Sequence, residues 1–256
     1  MKLKKIVAAS ALTLAAATGA NAQVSGDVIK IGIITDMSGL YSDIDGAGGV
    51  EAMKMAIADM GGAVGGKKIE LLFADHQNKA DIAASKAREW IDQQGVSALM
   101  GGTNSGAALA SAKVAAEKKR PYIVMGAGSA RLTNEDCTPY TVHYAYDTVA
   151  LAKVAGKAMI QRGDKEWFFL TADYAFGHSL EKDSADVVKA NGGKVLGQVR
   201  HPLNASDFSS FLLQAQNSKA QVLGLANAGG DFINSMKAAK EFGIDKKMKM
   251  AGLLVF

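Results

Sequence analysis

Short apolar runs alternate with helix-forming stretches along most of the chain, and this alternation limits the fold more than any other feature. "VIKIGIIT" precedes "GVEAMKMAIADM", "KIELLFA" precedes "ADIAASKAREWIDQQ", and "VSALMG" precedes "GAALASAKVAAEKK". The strand-length runs are apolar throughout, which is typical of parallel strands covered on both faces. The pattern therefore predicts an α/β fold in which helices flank parallel sheets.

The alternation is interrupted once. After Met125 the sequence "GAGSARLTNEDCTPYTVHYAYD" is irregular, and strand and helix patterns resume at "TVALAKVAGKAMIQRG" and "EWFFLT". We therefore expect two Rossmann-like lobes, the first over residues 27–144 and the second over residues 145–256. The chain ends at Phe256 inside a predicted strand. The second lobe is therefore expected to be incomplete, with its C-terminal part missing.

The first 22 residues have the pattern of an export signal. Three lysines precede the apolar segment from Ile6 to Ala17, and Ala20-Asn21-Ala22 follows it. This order predicts a signal peptide cleaved after Ala22 and a periplasmic protein with no membrane insertion after cleavage. The apolar segment is shorter than the ~20 residues that span a bilayer.

Charge and cysteine content narrow the possible partners. The formal net charge is +4, and the leader's three lysines account for most of it, so nucleic acid is not expected as a partner. Cys137 is the only cysteine and has no internal partner for a disulfide. We expect it to be a buried small apolar residue, the alternative being a partner outside this sequence.

Four predicted loops at the carboxyl ends of strands carry the residues that suit ligand binding. They are "TDMSGLYSDIDG", "GGTNSG", "GAGSAR" and "TADYAFGH". Open α/β sheets bind ligands at this edge, and the glycines, hydroxyls and aromatic rings suit a small polar molecule. In "GGTNSG" the N-terminus of the following helix favours an anion such as a carboxylate. The alternative is that Asn104 or Ser105 only caps that helix.

Several other loop positions have two possible interpretations, one as ligand contacts and one as structural residues. Ser129 and the carbonyl groups around it suit the ammonium and carboxylate of a ligand, or belong to a turn with positive φ at Gly126 or Gly128. Tyr41, Tyr174 and Phe176 suit the walls of a closing site, or anchor their loops. Asn78 or Asp81 is expected to cap the helix that follows "DHQNK".

Motifs for catalysis, metals and cofactors are not found. Gly101 and Gly106 have the spacing of a phosphate loop, but Ala107 and Ala108 replace its lysine and hydroxyl residues. The sequence contains no G-x-S-x-G, no H-E-x-x-H and no cysteine cluster. We therefore expect a binding protein without cofactor or metal rather than an enzyme.

The ordered series of motifs resembles the branched-chain amino acid type of periplasmic solute-binding protein. The resemblance covers the chain from Asp27 to Phe256. It is carried by these segments: "IKIGIITDMSGLYSDIDGAGGVEAMKMAIADMGG", "GGTNSGAALA", "YIVMGAGSARLT", "TADYAFGHSLEKD" and "VLGLANAGGDFINSMKAAKEFG". It implies the type I periplasmic binding protein fold.

The resemblance also implies site residues and a function. In the family, the loops after the third and fourth strands hold the ligand's carboxylate and ammonium. The matching ligand-binding positions here are Ser105 and the turn Gly128-Ser129-Ala130, with Tyr174 or Phe176 and Asn227 from the second lobe. The implied function is capture of an amino acid or related carboxylate for the membrane permease of an ABC importer. The alternative is a ligand-sensing module of a signalling receptor.

Overall fold

The structure is a computed structural model that describes residues 26–255. The predicted signal peptide, its cleavage site after Ala22 and the terminal Phe256 lie outside the described residues. Within residues 26–255, the chain forms two sheets, each flanked by helices.

The first sheet has the strand order β2-β3-β1-β4-β5-β6. Its one antiparallel pair joins β2 to β3, and the other pairs are parallel. The six strands are β1 (Val28–Thr35), β2 (Ala63–Val64), β3 (Lys67–Asp75), β4 (Ala98–Gly101), β5 (Tyr122–Val124) and β6 (Thr141–His143). The helices of this half are α1 (Ser42–Asp45), α2 (Ala47–Asp59), α3 (Ala80–Gln93) and α4 (Ser105–Glu117).

The second sheet is parallel throughout, with the order β10-β9-β7-β8. Its strands are β7 (Glu166–Ala172), β8 (Lys194–His201), β9 (Val222–Ala226) and β10 (Lys249–Gly252). The helices of this half are α5 (Thr148–Gln161), α6 (Ala175–Ala190), α7 (Ser209–Asn217) and α8 (Gly229–Glu241). The α/β prediction with parallel sheets is therefore confirmed.

Burial on both faces explains why the strands are apolar throughout. In β7, Trp167 and Phe169 pack into one cluster, while Phe168 and Leu170 pack into another on the opposite face. Successive side chains of a strand point to opposite faces, so a strand covered on both sides needs apolar residues at every position. In the first half, Gly32 of β1 lies against the Trp90 ring, and a Cβ there would come within 2.5 Å of it.

Two expectations from the sequence are wrong in this region. The segment interpreted as irregular contains β6, which pairs in parallel with β5 through Tyr122–Thr141 and Val124–His143. Three residues are too few to show a strand periodicity. Cys137 is exposed rather than buried, because it lies in the irregular connection before β6.

Candidate binding cleft between the two sheets

The strand register brings the polar loops of the first half together. Ile34 of β1 pairs with Gly101 of β4, and Gly101 pairs with Val124 of β5. The loops that follow these three strands therefore begin side by side at the carboxyl edge. This is the edge at which open α/β sheets bind ligands.

Residues from both halves line a small cavity at this edge. The volume of this cavity that is accessible to water is about 10 Å³, roughly enough for a single water molecule. The halves are thus closed against each other. The cavity is lined by Tyr41, Thr103, Gly126, Gly128 and Tyr146, which precede β7, and by Tyr174, Phe176, Ala228 and Leu254, which follow it.

Two hydroxyl pairs join the halves. The hydroxyl oxygens of Tyr41 and Tyr174 lie 2.7 Å apart, and the Oγ atoms of Ser129 and Ser179 are also 2.7 Å apart. Burial raises the pKa of both tyrosines well above the ordinary value. Both phenols are therefore neutral, so one can donate a hydrogen bond to the other.

Asp36 fixes the loop that carries Tyr41. Its carboxylate accepts hydrogen bonds from the amides of Gly39 (2.7 Å) and Tyr41 (2.8 Å) and from the Asn78 side chain. Asn78 in turn accepts from Asn104 Nδ2 at 3.0 Å. The expected capping role of Asn78 or Asp81 is therefore wrong, since α3 begins after Lys79 without a side-chain cap. Asn78 instead connects two of the rim loops.

Asn104, and not Ser105, caps α4. Its Oδ1 accepts a hydrogen bond from the Ala107 amide at 2.9 Å. Ser105 is the first residue of α4, and its Oγ accepts from the Ser129 amide at 3.1 Å. Ser105 and Ser129 are thus neighbours on adjoining loops, as their positions after β4 and β5 require. Both are fully buried in the closed arrangement, and neither lines the cavity.

Of the other ligand-binding positions predicted in the first half, Gly128 lines the cavity and Ala130 does not. A Cβ on Gly128 would come within 2.8 Å of Tyr146 and 3.1 Å of Phe176. The requirement at Gly128 is therefore close packing, and the alternative interpretation, a turn with positive φ at Gly126 or Gly128, is wrong. Ala130 does not line the cavity, and its amide donates to Thr148 Oγ1 at 3.1 Å.

Asn227 lies behind the cavity wall. Its Nδ2 is 3.2 Å from both His201 Nε2 and Ser235 Oγ, and within residues 26–255 its buried Oδ1 has no hydrogen-bond partner. The next residue, Ala228, lines the cavity. Asn227 therefore reaches the cleft only after a local rearrangement.

Sequence reasoning missed five residues that line the cavity: Thr103, Gly126, Tyr146, Ala228 and Leu254. Thr103 and Gly126 lie in motifs that sequence analysis selected, but motif composition did not show which side chains turn inward. Tyr146 lies in the irregular connection that enters the second half.

Among residues 26–255, no group of three His, Cys, Asp or Glu side chains is placed to hold a metal. No helix in that range is both long and apolar enough to cross a membrane.

A family model for periplasmic binding proteins matches residues 28–256. The chain belongs to the periplasmic binding protein family. Its type I fold is shared with a periplasmic binding protein of known structure from Burkholderia mallei. That protein is 73% identical, with a TM-score of 0.88, over 89% of this chain and 61% of that chain.

The names of two other similar proteins include a ligand. An ABC transporter solute-binding protein from Rhodopseudomonas palustris BisB5, in complex with 3,4-dihydroxybenzoic acid, is 31% identical with a TM-score of 0.76. The match covers 88% of this chain and 61% of that one. A Leu/Ile/Val-binding protein homolog from Brucella melitensis biotype 1 is 28% identical over 90% of this chain and 58% of its own length. The chain thus spans about three fifths of the length of these relatives.

Proposed function

We propose that this protein captures a small carboxylate, either an amino acid or an aromatic acid, in the cleft between a first lobe of residues 27–144 and a second lobe of residues 145–256. The proposal rests on one observation: residues of both halves line a small cavity together, and hydroxyl pairs, Tyr41 with Tyr174 and Ser129 with Ser179, join the two halves. Hydrogen bonds between the two halves stabilise a closed cleft, and closure of such a cleft buries a ligand from water.

The N-terminus of α4 supports a carboxylate as the ligand. Amides at a helix N-terminus carry partial positive charge and favour an anion. Ser105 lies at this terminus and Ser129 lies directly beside it. In the open cleft the Ser129–Ser179 contact separates, and the Ser129 hydroxyl becomes available to donate a hydrogen bond. We assign the carboxylate to this position, with Tyr41, Tyr174 and Phe176 closing over the ligand.

Delivery to a membrane permease of an ABC importer is the cellular role we propose, in the periplasm and without a catalytic step. The Rhodopseudomonas relative is an ABC transporter protein with a bound aromatic acid, and the Brucella relative is named for branched-chain amino acids. Both classes are carboxylates. Roughly micromolar affinity corresponds to about −8 kcal/mol. Two or three charge-assisted hydrogen bonds of about 1.5–3 kcal/mol each do not reach this value against the cost of association, so burial of the ligand's apolar part has to supply the rest.

Titration calorimetry with amino acids and with benzoate derivatives tests this function. We expect at least one carboxylate to bind with a Kd on the order of micromolar, while the matching methyl ester or primary amide does not bind. Absence of binding by every carboxylate to the folded protein contradicts the proposal.

Two matched serine variants test the position of the carboxylate. Ser129→Ala removes a hydroxyl assigned to the ligand, whereas Ser179→Ala removes only its partner across the cleft. We expect Ser129→Ala to lose about tenfold or more in affinity and Ser179→Ala to lose less. Equal losses mean that Ser129 acts only through the contact between the halves.

A further inference from the structure

Asp45, which no motif selected, lies beneath the floor of the cleft. It is the last residue of α1, and its Oδ1 accepts a hydrogen bond from Thr35 Oγ1 at 2.9 Å. Its Oδ2 is buried and has no hydrogen-bond partner among residues 26–255. A buried carboxylate oxygen without a partner is costly. Such a group needs a partner, which is either an ordered water or a ligand.

Two glycines leave the path from Asp45 to the cavity open. A Cβ on Gly102 would lie 2.6 Å from Asp45 Oδ2, and one on Gly126 would lie 3.2 Å from it. Gly126 lines the cavity, so Asp45 Oδ2 lies close to a cavity-lining position that carries no side chain. Any larger residue at position 126 would place atoms between the two.

A second unpartnered oxygen lies at the same place. The Thr103 Oγ1 is buried without a hydrogen-bond partner in the described part of the chain, and Thr103 lines the cavity. The Cβ position built on Gly126 is 3.1 Å from this oxygen. A ligand atom at the position of this Cβ would therefore lie close to two buried oxygens, Asp45 Oδ2 and Thr103 Oγ1, that can both accept a hydrogen bond.

The electrostatic environment of Asp45 also reflects its burial. Burial raises the pKa of the Asp45 carboxyl, while hydrogen-bonding groups of Thr103 (its hydroxyl and its amide) and of Thr35 act in the opposite direction. The Thr103 groups therefore lie close to the carboxylate, but in the closed structure they do not reach hydrogen-bond geometry with Asp45 Oδ2. The Asp45 charge in turn contributes to the raised pKa of Tyr146, another residue of the cavity wall. A donor group placed here would relieve the burial of the carboxylate.

We propose that Asp45, assisted by Thr103, is a specificity-determining residue that accepts a hydrogen bond from a donor group carried by the carboxylate ligand. This inference rests on the proposed function. The ligand's carboxylate lies at Ser105 and Ser129, and its donor group lies at Asp45. Thr103 and Ser105 are two residues apart, so their Cα atoms are at most about 7 Å apart. That span suits a small molecule with a carboxylate at one end and an ammonium or phenolic hydroxyl at the other.

Two pairs of ligands that differ only in the donor group provide the test. L-leucine is compared with 4-methylpentanoate, and 4-hydroxybenzoate with benzoate, by titration calorimetry. We expect a preference of about tenfold or more for the donor-bearing member of one pair. The pair that shows the preference identifies the donor as an ammonium or a phenol.

Asp45→Asn is the decisive variant, and Asp43→Asn, on the exposed side of the same helix, is its matched control. The asparagine Oδ1 can still accept from Thr35, and thermal unfolding checks that the variant folds. We expect Asp45→Asn to reduce the preference at least tenfold and Asp43→Asn to retain it. Gly126→Ala, which blocks the path without altering the carboxylate, should lower the same preference.

The outcomes separate the two proposals. If the wild-type protein binds these carboxylates but shows no preference in either pair, or if Asp45→Asn keeps the preference, the role of Asp45 is wrong and the proposed function stands. A water molecule between Asp45 and Thr103 then accounts for the unpartnered oxygens. If no carboxylate of the full panel of amino acids and benzoate derivatives binds, the proposed function is contradicted and the role of Asp45 with it.

Discussion

Tyr41 and Tyr174 place their hydroxyl oxygens 2.7 Å apart, although Tyr41 follows the first strand of one sheet and Tyr174 the first strand of the other. Tyr41 also packs into the apolar cluster of the second half, beside Trp167, Phe176 and Ala228. Tyr41 is buried and Tyr174 is partly buried, so in the closed cleft each hydroxyl has the other as its hydrogen-bond partner. This pair therefore couples the closure of the cleft to the stability of the whole chain.

Removing one hydroxyl of this pair should cost more than removing both. Tyr174→Phe leaves the Tyr41 hydroxyl buried without a partner, so we expect a loss of about 1–3 kcal/mol in the free energy of unfolding. The double variant Tyr41→Phe/Tyr174→Phe should recover part of this loss. Urea unfolding measures all three proteins, with Tyr144→Phe at an exposed position as the control. An unchanged Tyr174→Phe variant means that the hydroxyls contact water in solution and the cleft is open.

The cap of α4 gives a second prediction. Asn104→Ala removes the acceptor for the Ala107 amide and the donor to Asn78, so we expect a loss of about 1 kcal/mol or more. Asn104→Asp keeps the acceptor and loses the donor, and should fall between the wild-type protein and the alanine variant. Thermal and urea unfolding measure the order. If aspartate destabilises as much as alanine, the Asn78 contact and not the cap carries the effect.

Gly102 and Gly48 form a matched pair for close packing. A Cβ on Gly102 would lie 2.0 Å from Thr35 Oγ1, whereas a Cβ on Gly48 meets nothing within 4 Å. Gly102→Ala should therefore destabilise by about 1–3 kcal/mol. Gly48→Ala, inside α2, should stabilise by about 0.5–1 kcal/mol. Equal effects in urea unfolding contradict the packing described for the rim loops.

His201 predicts a loss of stability in mild acid. Burial lowers its pKa below the ordinary value of 6.5, although the Pro202 carbonyl and the charges of Asp231 and Asp173 oppose the shift. The neutral ring donates from Nδ1 to Pro202 and accepts from Asn227 at Nε2. Below pH 6.5 the unfolded chain binds the proton more readily than the folded chain. This stabilisation is therefore complete above pH 6.5 and is lost as the pH falls, by at most about 1.4 kcal/mol per pH unit.

Unfolding free energies between pH 7.5 and 5 measure this dependence. His201→Gln should show a shallower loss than the wild-type protein over that range. His178→Gln, which removes an imidazole that is 40% exposed, controls for the loss of a histidine. A His201→Gln profile parallel to that of the wild-type protein contradicts the assignment.

The sequence predicts the layers of this fold well because each buried strand needs apolar residues on both faces. β7 shows this directly, since Trp167, Phe168, Phe169 and Leu170 are all buried. The short β6 was missed because it is recognised by its pairing with β5 and not by its own composition. The family was recognisable from the order of its loop motifs, which follows from the order of the strands.

The site was predictable only as a set of loops. Tyr41, Gly128, Tyr174 and Phe176 line the cavity, and their roles as ligand contacts stay predictions. The roles of Ser105, Ser129, Ala130 and Asn227 as ligand contacts remain predictions, since their polar groups bond within the closed protein. Asp45 carried no signal in the sequence, because burial and a missing partner are properties of the folded chain. Exposure of Cys137 was unpredictable for the same reason.

Crystal structures of the protein grown with L-leucine and with 4-hydroxybenzoate test the central claim most directly. We predict that the bound molecule lies between the two halves, with a carboxylate oxygen about 3 Å from the Ser129 hydroxyl or from an amide at the start of α4. A ligand bound outside the cleft, or inside it with its carboxylate directed away from both groups, would contradict the account.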